Sequence, residues 1–297
     1  MILIKKSLLI LLLTSSSIFV FGQNSLETQF GLIAKKIDGN VGVSAMVLET
    51  GESASYSENK KFPMQSLYKF PLAMAVLHQV DEGKLSIDQK IPIEKSEIIP
   101  NSRGSVNDKI LAGIDLTLKE LIWYTVGESD NTACDVLFRA IGGTTYANNY
   151  VHKIGVSDIV IATTERIQMQ DDSIQYQNWA TPQAMTQLLK ILCSTNTLSE
   201  KSRSLLLEDM VQSLPGQKRI KGLLPSGTVV AHKTGTAATI NGLTRATNDS
   251  GIITLPNGKH LAITVFISDS HASHAERELT IATISKAAFD YWSAVGK

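Results

Sequence analysis

Apolar and polar positions follow two rhythms along the chain. At both ends the period is short. Residues 41–62, VGVSAMVLETGESASYSENKKF, read as two strands around a Glu-Thr-Gly turn. Residues 229–238, VVAHKTGTAA, and 250–268, SGIITLPNGKHLAITVFIS, read as an antiparallel meander with a Pro-Asn-Gly turn. Between the ends the spacing is helical, over 67–83, 117–142, 182–194 and 200–212, and it is helical again over 275–294. Strands at the ends with helices between them predict an α/β (α+β) fold. An antiparallel sheet flanked by helices is built from both termini, and an all-helical domain is inserted. The expected division is 23–62 with 211–297 for the α/β domain and 63–210 for the helical domain.

The first 22 residues stand apart. MILIKK carries two lysines, SLLILLLTSSSIFVF is apolar but broken by hydroxyls, and Gly22 follows. That layout predicts a signal peptide and a periplasmic or secreted protein starting near Gln23. A retained membrane anchor is the competing reading, and the short apolar core argues against it. The 28 basic residues balance the 28 acidic ones, so nothing points to nucleic acid. With 43% hydrophobic and 19% charged residues the chain can bury a sizeable core. Its only cysteines, Cys134 and Cys193, sit in apolar helix-like contexts and read as two buried thiols.

Residues 64–83, MQSLYKFPLAMAVLHQVDEG, raise a chemical question: why a lysine opens so apolar a run. Pro71 is tolerated only near a helix start, which places Ser66 at the positive end of the helix dipole. Lys69 lies three residues on, on the same face. A serine hydroxyl attacks well only when a neighbour removes its proton. A lysine does this when neutral, and an apolar setting favours that state. A second Ser-x-x-Lys, Ser57 to Lys60, lies in a polar turn with no helix to orient it.

Two further motifs follow in order: Ser129-Asp130-Asn131, at the mouth of a helical stretch, and Lys233-Thr234-Gly235, on a probable strand. Ser129 is suited to pass a proton to a leaving nitrogen, and Asn131 to hold Lys69 and a substrate amide. Lys233 and Thr234 offer a cation and a hydroxyl to an anion. Gly235 leaves room for a ligand to lie along the strand. Asp130 reads as a helix N-cap. The order and separation of Ser-x-x-Lys, Ser-Asp-Asn and Lys-Thr-Gly match those of class A β-lactamases and penicillin-binding proteins. Over essentially its whole length after residue 22 the chain resembles a class A serine β-lactamase.

The resemblance implies hydrolysis of a β-lactam amide through a Ser66 acyl-enzyme, without cofactor or metal, in a site between the two domains. It implies an oxyanion hole formed by the N–H groups of Ser66 and Thr236. It assigns the water-activating base to Glu165, in a loop where the family pattern is Glu-x-x-Leu-Asn. Here Gln168 and Met169 replace the leucine and the asparagine. Thr163 and Asn178 occupy the places of the usual loop-closing ion pair. These departures, with QYQNW, resemble the A2 branch, which includes cephalosporinases and extended-spectrum enzymes. Arg219 matches an arginine that some members use for the substrate carboxylate. His271 and His274 have no completing ligands and read as loop or helix-start residues. The expected partner is a small β-lactam. Nucleic acid, a membrane after cleavage and a second subunit are not expected. A D-Ala-D-Ala carboxypeptidase and a non-hydrolysing penicillin sensor share the acylation machinery and remain the alternatives.

Overall fold

The structure, a computed structural model, describes residues 25–100, 105–194 and 197–294. The expected leader, residues 1–22, lies outside the described residues, as do positions 101–104.

A five-stranded antiparallel sheet organises the fold. Its spatial order is Ser53–Tyr56, Asn40–Val47, His260–Ser268, Thr247–Thr254, Val230–Thr236. Strands from the two ends of the chain meet at its centre, in the register Asn40↔Ser268 to Val47↔Leu261. Side chains alternate across the sheet. Val41, Val43, Ile263, Val265 and Ile267 face one core with Phe30, Ile281 and Trp292, carried by the helices Leu26–Ala34 and His274–Ala294. Ala262 and Phe266 face the opposite core, against the intervening helices. Both faces are covered, so the central strands read as nearly unbroken apolar runs.

The helix Lys69–Asp81 runs through the middle of that second core, and every residue from Lys69 to Leu77 is buried. It packs against the helices Asn131–Ile141, Thr144–Lys153 and Glu200–Val211. A single 3₁₀ turn, Gln65–Tyr68, leads into it and carries Ser66. Pro71 therefore sits in the first helical turn, as its missing N–H requires.

The expected helix over 117–142 is two helices. Leu118–Trp123 widens into a π-type turn, Tyr124–Glu128, and then stops at Ser129. Ser129 is left-handed, with φ 64°, a conformation few non-glycine residues adopt. Asp130 then caps the second helix, its Oδ1 accepting from Ala133 N at 2.8 Å. The N-cap expectation for Asp130 thus holds, and it is also why the pattern breaks here. The helices Leu26–Ala34 and Thr144–Lys153 were not among those expected from the pattern. A small sheet of Phe62–Pro63, Trp179–Ala180 and Ile159–Val160 pins both ends of the 161–180 loop beside the Ser66 segment.

Candidate active site

Four segments meet at one cleft. The 3₁₀ turn supplies Ser66, the left-handed stop supplies Ser129, the start of the next helix supplies Asn131, and the edge strand supplies Lys233 to Thr236. With Glu165 from the loop, Ser66, Ser129, Asn131, Thr234 and Thr236 line a cavity of about 230 Å³. Lys69 and Lys233 are fully buried behind it, each bonded to residues that line it.

Lys69 is the hub. Its Nζ donates to Asn131 Oδ1 at 2.7 Å and to Ser129 O at 2.8 Å, and it stands 3.0 Å from Glu165 Oε1. The lysine at the mouth of an apolar run is thus buried against one carboxylate and two oxygen acceptors. Lys233 Nζ donates to Ser129 Oγ at 2.9 Å and to Thr234 O at 3.0 Å. Burial first, and the Lys69 charge second, hold the Lys233 ammonium well below the usual lysine range. Asp130 is pushed up to about 6 by burial, against the pull of its capping bond. Ser57 and Lys60 lie in the turn after Ser53–Tyr56 and line no part of this cavity.

Gly235 also serves a close approach between two backbones. A Cβ on it would stand 2.2 Å from Met64 O. The bare α-carbon therefore lets the edge strand press against the backbone just before Ser66. Asn248, on the neighbouring strand, fixes the same segment by donating to Pro63 O and Met64 O at 2.8 and 3.1 Å. No motif signalled Asn248.

Arg219 is buried behind the edge strand and is not among the cavity-lining residues. Its guanidinium donates to Thr236 Oγ1 at 2.8 Å, to Asn248 O at 2.9 Å and to Gly235 O at 3.3 Å, and Nε meets Glu278 Oε1 at 3.3 Å. It orients Thr236, which does face the cavity. Behind it, Asp249 accepts from His232 Nδ1 at 2.9 Å and from Ile220 N at 3.1 Å. No motif marks this fully buried pair.

At the place of the usual loop-closing ion pair, a carboxamide closes the Glu165 loop. Asn178 Oδ1 accepts from Ala162 N and Thr163 N at 2.7 and 2.9 Å, and its Nδ2 donates to Thr163 O at 2.8 Å. One buried carboxamide thus satisfies three backbone groups. Farther along, Gln175 accepts from Gln65 at 2.6 Å, and Tyr176 and Arg245 hold the loop through Asp269 and Asp172. Cys134 is buried and Cys193 half-buried, and neither forms a disulfide. His271 pairs with Asp38 and His274 with Glu278. No cluster of metal-ligating residues occurs among the described residues.

A family model described as "Beta-lactamase enzyme family" matches residues 25–292. The chain belongs to the beta-lactamase enzyme family. Within this β-lactamase family it is 37% identical to the extended-spectrum β-lactamase PER-1 of Pseudomonas aeruginosa, over 94% of each chain. A solved β-lactamase from Chitinophaga pinensis matches with a TM-score of 0.89 and 45% identity, over 91% of this chain and 100% of that one. A class A β-lactamase from Bacteroides cellulosilyticus matches with a TM-score of 0.85 and 32% identity, over 91% and 97%.

Proposed function

We propose that the protein hydrolyses the amide of penicillins and cephalosporins through a Ser66 ester, and so confers resistance to them. The observation that carries this reading is the convergence of Ser66, Lys69, Ser129, Glu165 and Lys233 on one small cleft. Ser66 Oγ adds to the lactam carbonyl, and its proton passes into the coupled Lys69–Glu165 pair. The N–H groups of Ser66 and Thr236 serve the developing oxyanion. As the C–N bond breaks, Ser129 gives its hydroxyl proton to the nitrogen while Lys233 stabilises the alkoxide, and the proton taken from Ser66 passes from the Lys69–Glu165 pair to Ser129, leaving the pair ready to act on water. Glu165 then takes a proton from water, whose oxygen adds to the ester carbonyl. Ser66 leaves with a proton returned from the same pair.

Asn131 and Thr234 are suited to the substrate's amide and carboxylate. Thr236, held by Arg219, assists at the same end. We take residues 23–62 with 211–297, and 63–210, as the two lobes that meet at the cleft. No helix among the described residues is long and apolar enough to cross a membrane. We take the leader-like first 22 residues as the export signal of a monomer that works outside the cytoplasm on a small molecule, and not on nucleic acid or membrane.

The test is turnover of a chromogenic cephalosporin. Ser66→Ala is expected to abolish it and Ser57→Ala to leave it intact. Glu165→Gln is expected to accumulate a penicilloyl mass adduct. A wild-type protein that already holds that adduct for hours would be a carboxypeptidase or sensor instead.

A further inference from the structure

The resembled pattern has an asparagine four residues after the base, and this chain has Met169 there. Met169 is 55% exposed and turned to solvent. The short helix Glu165–Gln168 explains what takes its place. Asp135, from the helix Asn131–Ile141, anchors its first turn by accepting from Glu165 N at 2.8 Å and from Arg166 N at 3.0 Å. Positions three and four along such a turn both lie on the side of its first residue; here the Gln168 side chain is half-buried and the Met169 side chain is exposed.

Gln168 Nε2 donates to Tyr68 Oη at 3.0 Å. Tyr68 is fully buried. Burial and the neighbouring negative charge of Glu165 keep that phenol protonated. The other end of the Gln168 amide, Oε1, is buried with no donor aligned to it. Glu165 Oε1 likewise accepts no aligned hydrogen bond, although the Lys69 ammonium stands near it. Native structures rarely leave such acceptors unpaired. A water placed between two such acceptors would give one O–H bond to each.

We propose that Gln168, braced by Tyr68, positions the hydrolytic water against Glu165, replacing the missing asparagine from one residue earlier in the helix. One water O–H points to Glu165, which takes that proton; the other points to Gln168 Oε1. The oxygen lone pair is left to form the bond to the ester carbon, and the Ser66 C–O bond breaks in the second half of the step. Gln168 and Tyr68 are positioning residues and exchange no proton with the substrate. The inference rests on the hydrolytic reading above.

The experiment measures acylation and deacylation rates separately, by stopped-flow and intact-protein mass spectrometry with a chromogenic cephalosporin. In Gln168→Leu, acylation is expected to stay within about threefold while deacylation falls roughly 10²-fold, the usual cost of a misplaced reacting group. An acyl adduct should then appear in the steady state. Tyr68→Phe is expected to give a smaller fall in the same step, and the double variant to be no slower than Gln168→Leu, because the two groups act as one unit. Gln168→Met, closer in volume, serves if Gln168→Leu does not fold. Deacylation at the wild-type rate, or both rates falling together, overturns the assignment while leaving the hydrolase reading intact. A wild-type protein with no turnover overturns both.

Discussion

Lys233 Nζ donates to Ser129 Oγ across 2.9 Å, joining a strand residue to one 104 positions earlier. The bond defines a proton path. Lys233 faces Ser129 on one side, while Lys69 holds the Ser129 carbonyl on the other. Removing the hydroxyl should therefore damage C–N cleavage more than binding. Ser129→Ala is expected to lower the acylation rate roughly 10²- to 10⁴-fold, the range for a lost general acid. KM should change less than kcat. An equal loss in both would assign Ser129 to substrate binding.

Gly235→Ala should act at a distance from the cavity it helps to build. The added Cβ would meet Met64 O at 2.2 Å, and that backbone cannot swing away as a side chain can. The Ser66 turn must shift, so activity is expected to fall by about 10²-fold or more. Folding, read by far-ultraviolet circular dichroism, should be kept. Wild-type turnover in the Gly235→Ala variant would mean that the two backbones are not packed as described.

Asn178 closes the base loop through three backbone bonds. Asn178→Asp removes the donor to Thr163 O and sets an anion against that carbonyl. A loss of about 1–3 kcal/mol is expected in denaturant unfolding, since buried groups are left unpaired. Deacylation should slow more than acylation, because the loop carries Glu165 and not Ser66.

A pH signature comes from Asp209, on the helix Glu200–Val211. Burial raises its carboxyl to about 7 from the usual carboxylate value near 3.8. The folded state therefore binds a proton that the unfolded state has released across that window. Stability attached to this group is present at low pH and is lost as pH rises from about 4 to about 7. Asp209→Asn should raise Tm at pH 8 and have much less effect at pH 4. A thermal-shift series across that range would read the difference, and a pH-independent shift would count against the buried acid.

Much of the architecture was legible because it follows local chemistry. The Pro-Asn-Gly turn and the alternation over 250–268 specify the hairpin, and Pro71 marks a helix start. The three motifs carry their residue types at fixed separations, so the cleft could be read before any contact was known. What could not be read depends on long-range geometry. The stop at Ser129 needs a left-handed backbone that serine does not advertise. Arg219 reads as a cation for the substrate carboxylate, and its burial behind the edge strand against Thr236 leaves no local mark. Asn178 and Gln168 look like ordinary loop polars, and only the folded loop shows which backbone groups or side chains they meet. Gly235 was noticed for its freedom, yet its partner, a carbonyl on another segment, has no trace in its own neighbourhood.

The sheet's central seam has a consequence for how the molecule is made. Asn40 donates to Asp269 across 229 positions of sequence. Until the last quarter of the chain is available, the first long strand has only the short Ser53–Tyr56 segment to pair with. Closing so distant a contact is slow, and meanwhile an apolar edge stands open to neighbouring chains. Assembly should therefore be late and all at once, with the nucleophile's surroundings fixed only when the two ends of the polypeptide find each other.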